Sequence, residues 1–432
     1  MSRLIVALLC LLTLPAAHAR DSLLDVYHKA LQADPQVRAA AAARDAAQEG
    51  LPQARAGRLP NANLGADAGQ TWQSIGGQST DFTSYSYQLR LAQPLYDAAV
   101  RPAIDQAEAG VARSEAELEL VHQSLMLRVS EAYFGILAAR DTLEFAQAEQ
   151  RAIERQLEQA QERFEVGLVA ITDVHEARAR FDLAQAQVIA AENQLALARE
   201  ALREIIGEQP DPVAPLAADL PLQRPAEAAD QWVDAARTRN PRVTALEQAV
   251  ASARAEIDRR GAGHRPRVDL VGTQSYSDRA LTIPGASPTD RRSTLVGIQL
   301  NVPLYQGGAI SAAVRQAHHQ LATAQEQLEQ ERRALERESR AAYLNVVAGI
   351  SQVHALEQAV VSNETALEAT QAGFEVGTRT AVEVLNAQQE LFRARRDLAQ
   401  ARYQFVLDGL RLKLAAGQLA PEDLEQLDRW LR

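Results

Sequence analysis

Two regions of the chain alternate apolar and polar residues with a period of two, which predicts β-strands that are apolar on one face only. The first region, residues 60–96, contains two alternating runs separated by a Gly/Ser-rich turn. Its apolar positions are Ala62, Leu64, Ala66, Ala68, Trp72, Tyr85, Tyr87, Leu89 and Leu91. The second region, residues 266–303, repeats the pattern at Val268, Leu270, Tyr276, Val296, Ile298, Leu300 and Val302. The pattern therefore predicts four half-polar strands in two pairs.

From about Ala98 to about Phe164 the apolar residues recur at steps of three and four, which predicts a helix of roughly 65 residues and about 100 Å. One seam runs along Leu118, Val121, Leu125, Val129, Ala132, Ile136, Ala139, Leu143 and Ala146. A second seam on a neighbouring face contains Leu120, Leu127, Phe134 and Ala138. Two seams indicate that each helix has two helical neighbours, as in a tube of helices. A buried core helix that is apolar on two sides is the alternative.

Turn residues divide the rest of the chain into further helices. Gly167 and Gly377 end the two long helices, since glycine readily adopts the left-handed conformation that follows a helix. Return helices are expected over 170–206 and 381–416. Residues 21–57 are helix-forming, and Pro35 opens a new helix there with Asp34 as its cap.

The same plan occurs twice in the chain. Pro35 and Pro60 recur as Pro241 and Pro266, 206 residues later, and residues 164–167 (FEVG) recur 210 residues later. A register held over such a distance indicates an internal duplication. We expect a first repeat at 20–207, a Pro-rich linker or equatorial segment at 208–230, a second repeat at 231–417 and a C-terminal segment at 418–432.

Residues 1–19 have the features of a secretory signal peptide. Arg3 supplies the positive region, residues 4–14 the apolar region and Ala17-His18-Ala19 the cleavage site. The one cysteine, Cys10, lies inside that apolar region, so a lipid-attachment cysteine and disulfides are not expected in the mature chain. The formal net charge of −11 argues against nucleic acid as a partner.

No catalytic or cofactor-binding pattern stands out. His318-His319 lacks further ligands at metal-binding spacing. Gly307-Gly308 is not followed by the lysine of a phosphate-binding loop. The sequence therefore predicts neither an enzyme nor a cofactor or metal site.

Four half-polar strands cannot close a barrel within one chain, and an open sheet exposes edges that invite pairing. Two chains would supply eight strands and three would supply twelve, the latter beginning to leave an aqueous lumen. The strands therefore favour a pore that several chains form together. A periplasmic coiled-coil scaffold or adaptor without a pore is the alternative interpretation. Such a scaffold would not need the strands.

Three segments have a distinctive sequence: residues 163–187 (RFEVGLVAITDVHEARARFDLAQAQ), residues 373–399 (GFEVGTRTAVEVLNAQQELFRARRDLA) and the turn at 302–308 (VPLYQGG). In these segments the chain resembles the TolC family of outer membrane exit ducts, and the resemblance extends from about Ser22 to about Leu419. It implies an α+β membrane protein: a homotrimer with a twelve-stranded outer-membrane β-barrel, four strands per protomer, continued by a long periplasmic α-helical coiled-coil barrel. It also implies outer membrane lipid, a periplasmic adaptor and an inner-membrane transporter of the ABC, RND or MFS type as partners.

In that family, polar links near the helix-hairpin tips close the periplasmic end. The resemblance places acceptors of these links at Thr172 and Asp173 and the basic donor at Arg379. We expect Arg379–Asp173 to be the main link. The family's tyrosine at another link is Phe374 here, which cannot donate a hydrogen bond.

A ring of carboxylates also lines the family's closed end. The resemblance places this ring at Glu383 and at position 386, three residues apart on one helix face. The second position is Asn386, which leaves one carboxylate per chain. We expect Glu383 to favour cations at the entrance. Ordinary solvated charges at helix ends are the alternative interpretation of all these residues.

The hairpin tips are where the family meets its adaptor. They correspond to Gly167, Leu168 and Val169 in the first repeat. In the second repeat they correspond to Gly377, Thr378 and Arg379.

Overall fold

The same order of elements occurs twice in the computed structural model, which describes residues 21–217, 219–281 and 289–431. The predicted signal peptide, residues 1–19, lies outside this range. The first copy comprises α1 (Leu23–Ala33), α2 (Pro35–Ala56), β1 (Asn61–Ile75), β2 (Gln78–Tyr96), α3 (Val100–Glu165) and α4 (Ile171–Ile206). The second comprises α5 (Ala229–Arg239), α6 (Pro241–Gly261), a 3₁₀ turn (Ala262–His264), β3 (Arg267–Leu281), β4 (Thr289–Asn301), α7 (Ala309–Glu375) and α8 (Ala381–Ala415). The C-terminal α9 (Pro421–Asp428) follows.

By packing, the chain divides into two units. One contains the described residues of Met1–Arg38, Leu120–Asn240 and Arg333–Arg432, and the other contains Ala39–Glu119 and Pro241–Arg332. In the part of the chain that the structure describes, no helix has a stretch long and apolar enough to cross a membrane.

The second unit holds a four-stranded antiparallel sheet in the order β1-β2-β3-β4. The registers place apolar residues opposite one another on one face, as in the pairs Leu64–Leu89 and Leu270–Ile298. Tyr87 of β2 stacks on Tyr276 of β3 with ring centroids 5.2 Å apart, which joins the two hairpins. The predicted alternation and strand pairs are confirmed, although β4 ends at Asn301, one residue before the predicted position Val302.

The apolar face of the sheet is exposed. Leu64 is 72% exposed, Val296 74% and Ile298 69%. The opposite face carries Asn63, Ser86 and other polar side chains. The sheet thus has one apolar face, whose side chains are exposed in the single chain, and one polar face.

The first unit contains the main hydrophobic core, to which α1, α3, α4, α8 and α9 contribute. Tyr133 is fully buried, donates a hydrogen bond to the carbonyl of Asp21 at 3.1 Å and accepts one from the amide of Ala214 at 2.9 Å. Burial raises the pKa of Tyr133.

The Pro-rich segment between the two copies also contacts distant residues. Leu216 pairs with Leu431 in an isolated bridge. In the predicted segment at 208–230, the described residues Val213, Ala214 and Leu220 belong to the core.

Helix α2 begins where the sequence predicts. Oδ1 of Asp34 accepts hydrogen bonds from the amides of Gln36 at 2.7 Å and Val37 at 3.0 Å, and Pro35 is the first helical residue. Oδ2 of the same carboxylate accepts a bond from Arg128 at 2.9 Å. Pro241, the repeat counterpart of Pro35, opens α6 in the same way. Helix α9 lies in the C-terminal segment, for which no helix was predicted.

Candidate functional site

The candidate site lies at the turns of two helix hairpins, which we call hairpin 1 (α3–α4) and hairpin 2 (α7–α8). Each long helix is followed, two residues after its last residue, by a glycine with positive φ. These are Gly167 with φ of 74° and Gly377 with φ of 80°. The next amide bonds back across the turn, from Leu168 to the carbonyl of Arg163 and from Thr378 to that of Gly373, each at 2.8 Å. These are helix ends that glycine makes possible.

The turn of hairpin 2 is polar and tightly bonded. Thr380 caps α8, and its hydroxyl accepts a hydrogen bond from the amide of Glu383 at 3.3 Å. Oε2 of Glu383 in turn accepts one from the amide of Thr380 at 2.8 Å. This reciprocal pair is a capping box, which fixes where the helix begins.

Arg379 bonds to its own helix. Its Nη1 donates to Oε1 of Glu383 at 2.5 Å, four residues along the chain. The amide of Thr380 and then the guanidinium of Arg379 hold the pKa of Glu383 below its usual value. Glu383 therefore carries a negative charge that Arg379 largely balances in this conformation. The expected link from Arg379 to Asp173 stays a prediction.

Gly373 leaves the space that Arg379 occupies. A Cβ atom at residue 373 would lie 2.6 Å from Cγ of Arg379, closer than side chains pack. A side chain at residue 373 would therefore have to displace the arginine side chain.

The turn of hairpin 1 has a different chemistry. Ala170 stands where Thr380 stands in the second repeat, and α4 has no side-chain cap. Val166 is 70% exposed and Leu168 74% exposed. Thr172 and Asp173 lie in the first turn of α4, Thr172 exposed and Asp173 half-buried. Hairpin 1 thus presents an apolar tip with polar acceptors behind it.

Phe374 and Asn386 both have arginine partners that the sequence did not suggest. The guanidinium carbon of Arg163 lies 4.6 Å from the ring centroid of Phe374. Arg180 donates to Oδ1 of Asn386 at 2.9 Å and to Oε1 of Gln389 at 3.0 Å. Arg163 has no acidic residue three or four positions away in the sequence, and this lack of a partner on its own helix could have pointed to a partner elsewhere. Arg180 has Glu176 four positions before it, so its sequence context does not point to a partner on another helix.

Packing near the tips is sparse compared with the core of the same unit. Two small clusters hold the helices there: one of Ile153, Ala184 and Leu385, and one of Leu157, Ala160 and Ala177. Regions with few buried apolar contacts open at low free energy. The described residues include no group of three or more His, Cys, Asp or Glu side chains placed to hold a metal ion.

Comparison with known proteins gives concordant matches. Residues 26–208 and 232–418 match the family described as "Outer membrane efflux protein". The chain is 37% identical to the "Outer membrane protein TolC" of Vibrio cholerae over 97% of this chain and 96% of that protein. It is 34% identical to the "Alkaline protease secretion protein AprF" of Pseudomonas aeruginosa, over 93% and 86% of the two chains. A solved membrane protein from Pseudomonas aeruginosa superposes with a TM-score of 0.79 at 23% identity, over 92% and 94% of the chains.

Proposed function

The chain belongs to the outer membrane efflux protein family, and on that premise we propose that it is a passive exit duct for drug efflux, for type I protein secretion, or for both. The observation that carries the proposal is the sheet in the second unit. It is apolar and exposed on one face, polar on the other, and four strands wide. Strands of this kind suit a barrel wall between lipid and water.

The duct needs several copies of the chain. In the described sheet, β1 and β4 are the outer strands, and each pairs on one side only. Unpaired strand edges must be paired or covered in a membrane. We propose a homotrimer, in which β4 of one protomer pairs with β1 of the next. Twelve strands leave a lumen, whereas the eight strands of a dimer would be filled by side chains.

The long antiparallel hairpins would form the periplasmic part of the duct, closed at their tips. Glu383 takes one of the five N–H donors of Arg379, and the guanidinium can offer others to a second acceptor. In the trimer we propose that Thr172 and Asp173 of a neighbouring hairpin are that acceptor. Untwisting of the hairpin tips would break these links and open the duct.

The partners would be a periplasmic adaptor and an inner-membrane transporter of the ABC, RND or MFS type. The name of the relative AprF describes protease secretion, and other relatives are named as outer membrane proteins, which favours a duct over a periplasmic scaffold. The exposed apolar tip of hairpin 1, with Val166 and Leu168, and the turn of hairpin 2 at Gly377 would be docking surfaces. Loss of adaptor cross-linking in Gly377→Trp with the oligomer intact is the result that docking predicts, with Gln371→Trp as the control.

The duct itself is tested in planar bilayers. We expect the protein to fractionate with outer membranes and the purified oligomer to form discrete ion-conducting channels. Recovery in the soluble periplasmic fraction, with no channel activity, would support the scaffold instead. Comparing drug susceptibility with the secreted-protein profile of a deletion strain would identify the cargo class.

A further inference from the structure

A first contact joins the two hairpins at the ends of their long helices. Arg163, in the last turn of α3, places its guanidinium carbon 4.6 Å from the ring centroid of Phe374, in the last turn of α7. This distance is within the range of a cation–π interaction. Both residues are half-buried, so the contact is partly shielded from water. Arg163 thus binds the aromatic ring of Phe374, the position at which the family resemblance implies a tyrosine with a hydroxyl group.

A second contact joins the same hairpins through their return helices. Arg180 of α4 reaches two amide oxygens on α8, Oδ1 of Asn386 at 2.9 Å and Oε1 of Gln389 at 3.0 Å. The two acceptors lie three residues apart and so face the same side of α8. The planar guanidinium can serve both at once because its donors are arranged as a fork.

The two contacts share one chemical pattern. In each, an arginine of hairpin 1 binds a partner of hairpin 2 that has no charge. We propose that Arg163 and Arg180 form a clasp that holds the two hairpins of one protomer together at the closed end, and that both are gating residues. This proposal rests on the duct proposed above, and it adds two residues to the expected link at Arg379.

An uncharged acceptor suits a contact that must break and re-form. Separation of a buried ion pair leaves a bare carboxylate behind, which is costly. Separation of Arg163 from Phe374, or of Arg180 from its amides, leaves only a solvated guanidinium and a neutral group. The clasp therefore adds resistance to opening without making the open state prohibitively unfavourable.

A neighbouring arginine provides the matched control. Arg178 lies two residues before Arg180 on α4, but its contacts are to the same helix, with Asp182 at 3.3 Å and the ring centroid of Phe181 at 5.8 Å. Removing its charge changes the net charge of the tip region as Arg180→Met does, without removing a contact between hairpins. Arg155, exposed on α3, is the corresponding control for Arg163.

The experiment measures the ratio of open to closed time of single channels formed by the purified full-length oligomer in planar bilayers. For Arg163→Met we expect an increase of about two- to five-fold per protomer, the range that a cation–π contact at a partly exposed site supports. Arg180→Met should increase the ratio in the same direction. Arg178→Met and Arg155→Met should leave it unchanged. Oligomer mass and helical content are checked for every variant.

Pairwise variants separate a clasp from a general effect on the hairpins. Phe374→Leu should open the channel as Arg163→Met does, and the double variant should be no more open than either single variant. Arg163→Lys, which keeps the cation over the ring, should restore wild-type gating. Additive effects of Arg163→Met and Phe374→Leu, or equal effects of Arg178→Met and Arg180→Met, would overturn the clasp. A wild-type oligomer that forms no channel would instead overturn the proposed duct.

Discussion

Gly373 and Arg379 are matched in shape, because a Cβ atom at residue 373 would lie 2.6 Å from Cγ of the arginine. In the first repeat the corresponding residues, 210 positions earlier, are Arg163 and Val169. The two turns therefore have the same backbone conformation. They differ in their side chains, since the arginine precedes the turn in hairpin 1 and follows it in hairpin 2. In hairpin 2 a glycine, which helix propensity alone would not favour, leaves room for the Arg379 side chain.

The first prediction follows from this fit. Gly373→Ala should help α7 by about 1 kcal/mol in helix propensity but should displace Arg379 from Glu383. We expect the open-to-closed ratio of the channel to rise while the thermal unfolding temperature does not fall. Gly110→Ala, at a helical glycine with open space around it, is the control, and it should leave gating unchanged. Unchanged gating in Gly373→Ala would show that the position of Arg379 does not matter.

The second prediction concerns the link from Arg379 to the acceptors at Thr172 and Asp173. Arg379→Ser removes the guanidinium, so we expect longer open times in planar bilayers. Charge-assisted hydrogen bonds contribute about 1.5–3 kcal/mol each, which sets the upper range of the effect per protomer. No increase in open time would show that Arg379 does not hold the channel closed.

The third prediction concerns ion selectivity at Glu383. Glu383→Gln removes the carboxylate whose pKa is lowered by the Thr380 amide and by Arg379. We expect the reversal potential in a salt gradient to move toward that of a less cation-selective channel. Glu390→Gln, a change at an exposed residue seven positions along α8, serves as the control. An unchanged reversal potential in Glu383→Gln would mean that its charge does not act on the permeating ions.

The fourth prediction concerns stability and pH at Asp34. Burial acts to raise the pKa of Asp34, but Arg128 and the amides of Val37 and Gln36 outweigh it, so the pKa lies below its usual value. The carboxylate therefore contributes stability above the unfolded-state pKa of about 3.9, and this contribution is lost as the pH falls through the lower folded-state pKa. Asp34→Asn keeps a cap acceptor and loses the charge.

We expect Asp34→Asn to lower the free energy of unfolding by about 1–3 kcal/mol at neutral pH, with the difference from wild type shrinking below about pH 4. Thermal unfolding over a pH series measures both effects. Asp45→Asn, in an exposed pair with Arg44 at 2.7 Å, should change stability by less than about 1 kcal/mol. A pH-independent difference for Asp34→Asn would contradict the sign of the pKa shift.

The elements with strong local patterns were predictable from the sequence. The period-two runs at Leu64 and Ile298 lie in strands, and Asp34-Pro35 starts α2 as expected. The long helix predicted from about Ala98 to about Phe164 is α3, Val100–Glu165. Here Oδ1 of Asp97 accepts a hydrogen bond from the amide of Ala99 at 2.9 Å, the bond by which an N-cap residue starts a helix.

The candidate site was only partly predictable. Family resemblance pointed to Phe374 and Asn386 as departures from the family's gate, but it gave no partner for either one. Those partners, Arg163 and Arg180, are about 210 residues away in sequence, and hairpin packing alone brings them into contact.

Helix α9 was not predicted because it is held by contacts with distant parts of the chain. Asp428 in α9 accepts hydrogen bonds from the amides of Leu23 and Leu24. Contacts of this kind leave no periodic signal.

If four-stranded sheets from several copies of this chain close into one barrel, the protein must be an oligomer in the membrane. The native mass of the protein extracted from outer membranes in mild detergent measures this. We expect a single species of three chains. A monomer as the predominant species, in a detergent in which β1 and β4 remain ordered, would contradict it.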